Sequence, residues 1–92
     1  MVQLVVQAGT LESSDCLVTV GPGSGITLEY SGGNAFLFRR RTETIVREVL
    51  ESSGVTDAAV TIQDQGALEP TLRARIETAL GRAARKEGQA HG

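Results

Sequence analysis

The 92-residue sequence is poor in the residue types on which much protein chemistry depends. It has no Trp, and its aromatics are Tyr30, Phe36 and Phe38, too few to stack the successive bases of a nucleic-acid strand. A formal charge of -2 leaves no basic excess to neutralise a phosphate backbone. One cysteine, Cys16, cannot form an internal disulfide, and with one histidine, His91, there is no Cys/His cluster for a metal. No run approaches the ~18 apolar residues of a membrane span. The first residues lack a basic segment leading into a hydrophobic one, so the expected setting is the cytoplasm. Serine nucleophiles need a base, and His91 lies in a segment with no core pattern; Glu12 and Asp15 show no sign of the burial that shifts a carboxyl pKa. The sequence therefore predicts a chain with no catalytic residues of its own.

What is present is the pattern of one small domain, in which a chain of this length buries roughly 60 to 65% of its extended surface. Period-2 alternation puts Val2, Leu4, Val6 and Ala8 on one face, then Cys16, Val18 and Val20 on one face, predicting strands over 2–10 and 16–20. Between them Glu12, Ser13, Ser14 and Asp15 read as the exposed tip of a hairpin, where Ser and Asp are favoured for local hydrogen bonding. Cys16 reads as a small core residue. Gly21-Pro22-Gly23-Ser24-Gly25 breaks the ladder as a second hairpin loop, and no Lys-Ser/Thr follows that would make it a phosphate loop. Ile26, Leu28 and Tyr30 mark a third strand, and Asn34 is placed to cap a helix over 35–52. That helix buries Phe38, Ile45, Val46, Val49 and Leu50 and stops at Gly54 in a left-handed conformation. A fourth strand over 58–63 follows, parallel to the third because a helix intervenes. Asp64-Gln65-Gly66 then turns into a second helix over 67–85 with Leu68, Leu72, Ile76, Leu80 and Ala83 buried and Pro70 in its tolerant first turn.

Charge adds two expectations. Arg39, Arg40 and Arg41 point in different directions around a helix, so ion pairs along a solvated face, Arg39 with Glu43 and Arg47 with Glu43 and Glu51, are the first reading, and contact with a partner subunit or with phosphates the second. Arg73 and Arg75 border the second helix's apolar stripe, with Glu77 available to Arg73. Residues 1–35 hold Glu12, Asp15 and Glu29 but no Lys or Arg, so no nearby cation in sequence would pin an anion attached at the serine turn.

The run Ala8-Gly9-Thr10-Leu11-Glu12-Ser13-Ser14-Asp15, followed by Asp64-Gln65-Gly66-Ala67-Leu68 and Leu72-Arg73-Ala74-Arg75, resembles the acyl carrier protein, or gamma subunit, of citrate lyase. The similarity runs from about Val6 to Ala84. The resemblance implies that Ser13 carries a phosphodiester-linked phosphoribosyl dephospho-CoA arm of the 2'-(5''-triphosphoribosyl)-3'-dephospho-CoA type. Ser14, where many members have glycine, is the alternative attachment site. It further implies acetyl and citryl thioesters shuttled between the alpha (transferase) and beta (lyase) subunits, a holo-carrier synthase that attaches the arm, and turn-shaping or recognition roles for Glu12 and Asp15. Carriers of citramalate lyase and malonate decarboxylase use similar arms, and an unmodified interaction module is the reading from another class. The expected fold is α+β, in the order β-β-β-α-β-α, with a mixed four-stranded sheet and both helices on one face. Residues 1–86 form the carrier domain and 87–92 a flexible tail. The sheet's other face is expected to be polar with an apolar strip of Val5, Leu11 and Leu17.

Overall fold

The computed structural model describes residues 2–33 and 35–88. The strands are β1 (Val6–Gly9), β2 (Cys16–Gly21), β3 (Ile26–Gly32) and β4 (Ala58–Asp64), and the helices are α1 (Ala35–Ser52) and α2 (Glu69–Gly88). The order is therefore the expected β-β-β-α-β-α. Asn34 and residues 89–92, which hold the expected helix cap and the end of the expected tail, lie outside the described residues.

In the sheet the strands lie in the order β1-β2-β4-β3, with β3 and β4 parallel and the other two pairings antiparallel. The register explains the alternation in the sequence. Val6, Val20, Val60 and Leu28 form one row across the sheet, and Ala8, Val18, Ile62 and Tyr30 the next. Both rows face the helices, whose stripes supply Ile45, Val46, Val49 and Leu50 from α1 and Leu72, Ile76, Ala79, Leu80 and Ala83 from α2. Fully burying each of the larger aliphatic side chains among these is worth about 1.5–3 kcal/mol, so this single layer of contacts holds the domain together. Gln7, Thr19, Thr61 and Glu29 make up the corresponding row on the opposite face. There Val5 and Leu11 are exposed and Leu17 is half-buried.

One connection departs from expectation. The segment 21–25 is not a hairpin loop, because β4 lies between β2 and β3. Two strand spacings of about 4.8 Å separate its ends, a gap that four linking residues can cross. The chain arches directly over the start of β4. Gly25 O accepts from Ala58 N at 2.9 Å, and Gly25 N donates to Asp57 Oδ1 at 2.7 Å. A Cβ on Gly23 would lie 2.8 Å from the Ala58 carbonyl carbon, so the glycines here serve close passage rather than a tight reversal. β4 takes the centre because its inward residues are all buried, whereas β3 is exposed at most positions and suits an edge.

One helix keeps its expected limits and the other begins later. α1 stops as expected at Gly54 (φ +71), with Gly54 N donating to Glu51 O and Val55 N to Leu50 O, the paired bonds of a Schellman ending. α2 starts at Glu69, so Leu68 is 73% exposed instead of part of the stripe. Phe38 is likewise 39% exposed, its ring lying under the Arg41 guanidinium, 4.7 Å from it.

Candidate functional site

The last rung of the sheet pairs Cys16 with Asp64 and Asp64 with Gly32. The β1–β2 turn, the β4–α2 loop and the start of α1 therefore meet at one end of the molecule. Ser13 and Ser14 are both exposed there, and neither hydroxyl has a hydrogen-bond partner among the described residues. Leu11, Phe36, Leu37 and Leu68 are exposed around the same end.

The turn itself is tightly built. Asp15 N donates to Glu12 O at 3.1 Å, closing the four residues, and the Glu12 N–H donates to Thr10 Oγ1. Ser14 and Asp15 are then locked to the β4–α2 loop: Ser14 N donates to Gln65 O at 2.7 Å, and Gln65 N donates to Asp15 O at 2.8 Å. Ser14 sits at φ +67, the one described non-glycine residue with a positive φ, a conformation that disfavours a side chain. Ser13 takes no such strain.

Asp15 carries the electrostatics. Its carboxylate accepts from Arg75 Nε at 3.0 Å and Nη2 at 2.9 Å, a two-pronged pair, and also from the Thr10 hydroxyl and Cys16 N. Arg75 above all, then Thr10 and the Cys16 N–H, hold the carboxyl far below the ordinary carboxylate range. Two sequence expectations are thereby corrected. Asp15 is a strongly shifted carboxylate, and Arg75 is no mere border residue but the tie from α2 to the serine turn. Nothing local in the sequence marks this pair, since sixty residues separate its members. Arg75, the cation tied to the turn, is engaged by Asp15.

A titration checks the pair. Because the folded-state pKa of Asp15 is lowered, its contribution to stability is present above the ordinary carboxylate value near 3.8 and is lost as pH falls below it. Urea midpoints of Asp15→Asn are expected to lie below those of the parent at pH 7, with the gap closing under acid; a gap independent of pH would contradict the assignment.

The other basic residues are also placed. Arg39 pairs with Glu43 at 3.5 Å as expected along the helix. Arg73 pairs across to Glu48 of α1 at 2.7 Å and not with Glu77. Arg41 turns inward toward Asp64 at 3.4 Å. Cys16 is fully buried, and burial pushes its thiol up to about 11, which makes it the inert core residue expected.

The family model described as the malonate decarboxylase delta subunit (MdcD), an acyl carrier family, matches residues 4–83. The citrate lyase acyl carrier protein of Haemophilus influenzae strain PittEE is 46% identical over 79 residues, covering 86% of this chain and 83% of that protein. That of Klebsiella pneumoniae is 47% identical over 81 residues, covering 86% and 84%. The chain belongs to the citrate lyase acyl carrier protein family. Citrate lyase acyl carrier protein 2 of Salmonella typhimurium strain LT2 is 48% identical over 79 residues, with 84% and 81% covered. Among solved structures, a chain of a Pseudomonas malonate decarboxylase hetero-tetramer in complex with malonate superposes with a TM-score of 0.70 at 19% identity, covering 89% of this chain and 86% of that one. That likeness is one of fold. No helix among the described residues of the carrier is long and apolar enough to cross a membrane.

Proposed function

We propose that this chain is the acyl carrier subunit of a cytoplasmic citrate lyase, and that Ser13 is the residue to which its arm is joined through a phosphodiester. The observation that carries this reading is an exposed Ser13 hydroxyl with no partner among the described residues, on a turn whose backbone is held from both sides. Such a group is accessible to a modifying enzyme yet fixed in position. Ser13 Oγ loses its proton and bonds the phosphorus nearest the ribose, with pyrophosphate leaving from the triphosphate donor. Ser14 is the poorer candidate, because its φ of +67 suits the glycine that many relatives carry there.

The residues present fit a phosphoribosyl dephospho-CoA arm: Ser13 is exposed, and Arg75, the cation tied to the serine turn, is paired with Asp15. When bound, the arm supplies a terminal thiol that holds acetyl and citryl groups as thioesters for the alpha and beta subunits. The protein's part is to raise the local concentration of that thiol at each partner's active site through the tether. Leu11, Phe36, Leu37 and Leu68 offer those partners apolar surface beside the attachment point.

The match to a malonate decarboxylase family and fold supports a second reading, a carrier for that enzyme; the 46–48% identities to citrate lyase carriers favour the first. Intact mass of the protein from its own host, with fragmentation, tests the proposal. An adduct on Ser13 matching the arm, and citrate lyase subunits co-purifying, are expected. An unmodified chain from citrate-grown cells would leave an interaction module instead.

A further inference from the structure

We propose that Asp64, held by Tyr30 and Arg41, is a positioning residue for the attachment serine; this rests on the reading of Ser13 given above. Asp64 is a buried carboxylate at the last rung of the sheet, 6% exposed, beneath the loop that grips the serine turn. Its Oδ1 accepts from Gly66 N at 3.0 Å and Ala67 N at 2.8 Å. Its Oδ2 accepts from the Tyr30 hydroxyl at 2.6 Å, with Arg41 Nη2 at 3.4 Å. One oxygen thus shapes the loop 65–67, and the other anchors the carboxylate to β3 and α1.

The consequence passes through one residue. Gln65 stands between Asp64 and Gly66, and its N–H and C=O are the two groups that register Asp15 and Ser14. If Asp64 releases the Gly66 and Ala67 amides, Gln65 loses its fixed orientation. The positive φ of Ser14 is then no longer imposed from outside, and strained backbone persists only where its surroundings hold it. The turn relaxes and Ser13 Oγ wanders, while the sheet core below, filled by Val18 and Ile62, has no reason to change. Tyr30 belongs to the same unit, since its hydroxyl is directed at Asp64 and its ring fills the inward row of β3.

Two measurements on the full-length chain test this. The first is amide hydrogen exchange in Asp64→Leu, which keeps about the size of the side chain but removes both acceptors, the one for the Gly66 and Ala67 amides and the one for Tyr30. Exchange at the Ser14 and Gln65 amides is expected to quicken about tenfold, while the Val18 and Ile62 amides stay as in the parent. The second is arm attachment by the purified synthase with the triphosphoribosyl dephospho-CoA donor. Misplacement of the hydroxyl should lower kcat about tenfold or more with KM little changed, because the docking surface is intact. Uniform acceleration across the sheet, or unchanged exchange with unchanged kcat, overturns the proposal. Should Asp64→Leu fail to fold, Tyr30→Phe decides, since it removes one bond and keeps the ring; a smaller effect in the same direction and at the same amides is expected, and none overturns the proposal. If the parent chain itself accepts no arm, the reading of Ser13 fails, and the exchange data still decide whether Asp64 positions the turn.

Discussion

Ser13→Ala is expected to give a carrier that folds as the parent does, acquires no adduct, and leaves the assembled lyase without activity. The substitution removes an exposed hydroxyl that has no partner among the described residues, so the change in stability should stay within about 0.5 kcal/mol. The loss of function should be complete, because Cys16 offers no substitute for a tethered thiol: it is fully buried and its thiol is raised to about 11. Ser14→Gly is the matched control. It relieves a φ of +67 and should stabilise the protein by up to about 1 kcal/mol, with the adduct retained at Ser13. Intact mass and urea midpoints on the two variants decide the matter. An adduct surviving in Ser13→Ala, or vanishing in Ser14→Gly, would move the attachment to Ser14.

Gly9→Ala is expected to be among the most damaging single-methyl changes in the domain. Gly9 ends β1 at φ +98, paired with Leu17. A Cβ there would lie 1.9 Å from the Cys16 carbonyl oxygen and 3.2 Å from Cδ of Arg75. The oxygen belongs to backbone that is itself bonded to Thr10 N at 3.2 Å, so it has no free path of retreat. The last rung between β1 and β2 must open, and the Asp15–Arg75 tie beside it opens too. A cost of at least about 3 kcal/mol follows, a large share of the ~5–15 kcal/mol that holds a small domain together. Gly25→Ala separates the two causes, because Gly25 also has a positive φ (+70) but open space around an added methyl; it should cost about 1 kcal/mol. Equal losses in the two variants, measured by urea unfolding, would show that the close approach at Gly9 is not what matters.

How much of this was legible beforehand differs element by element. The limits of α1, the alternation of β2 and β4 and the burial of Cys16 all follow from periodicity, which is a local property. So does the exposure of Ser13 and Ser14, because a turn between two alternating strands has nowhere to go but solvent. The hairpin expected at 21–25 failed for a stated reason: loop composition reports that the chain bends, not which strand it bends toward. Leu68 falls outside the core because the helix starts two residues later than its pattern predicts, and helix ends are the least sharply encoded feature.

The sequence by itself determined that this is one small α+β domain with an exposed serine pair, and its ordered motifs pointed to the acyl carrier family. Those are consequences of spacing along the chain. Only the tertiary structure decided which groups surround the serines. Asp15 meets Arg75, and Asp64 meets Tyr30 and Arg41, across separations that no periodicity can span. The insertion of β4 between β2 and β3 brings these residues to one edge, and contacts between distant segments depend on how strands are ordered in the sheet rather than on the pattern within any strand.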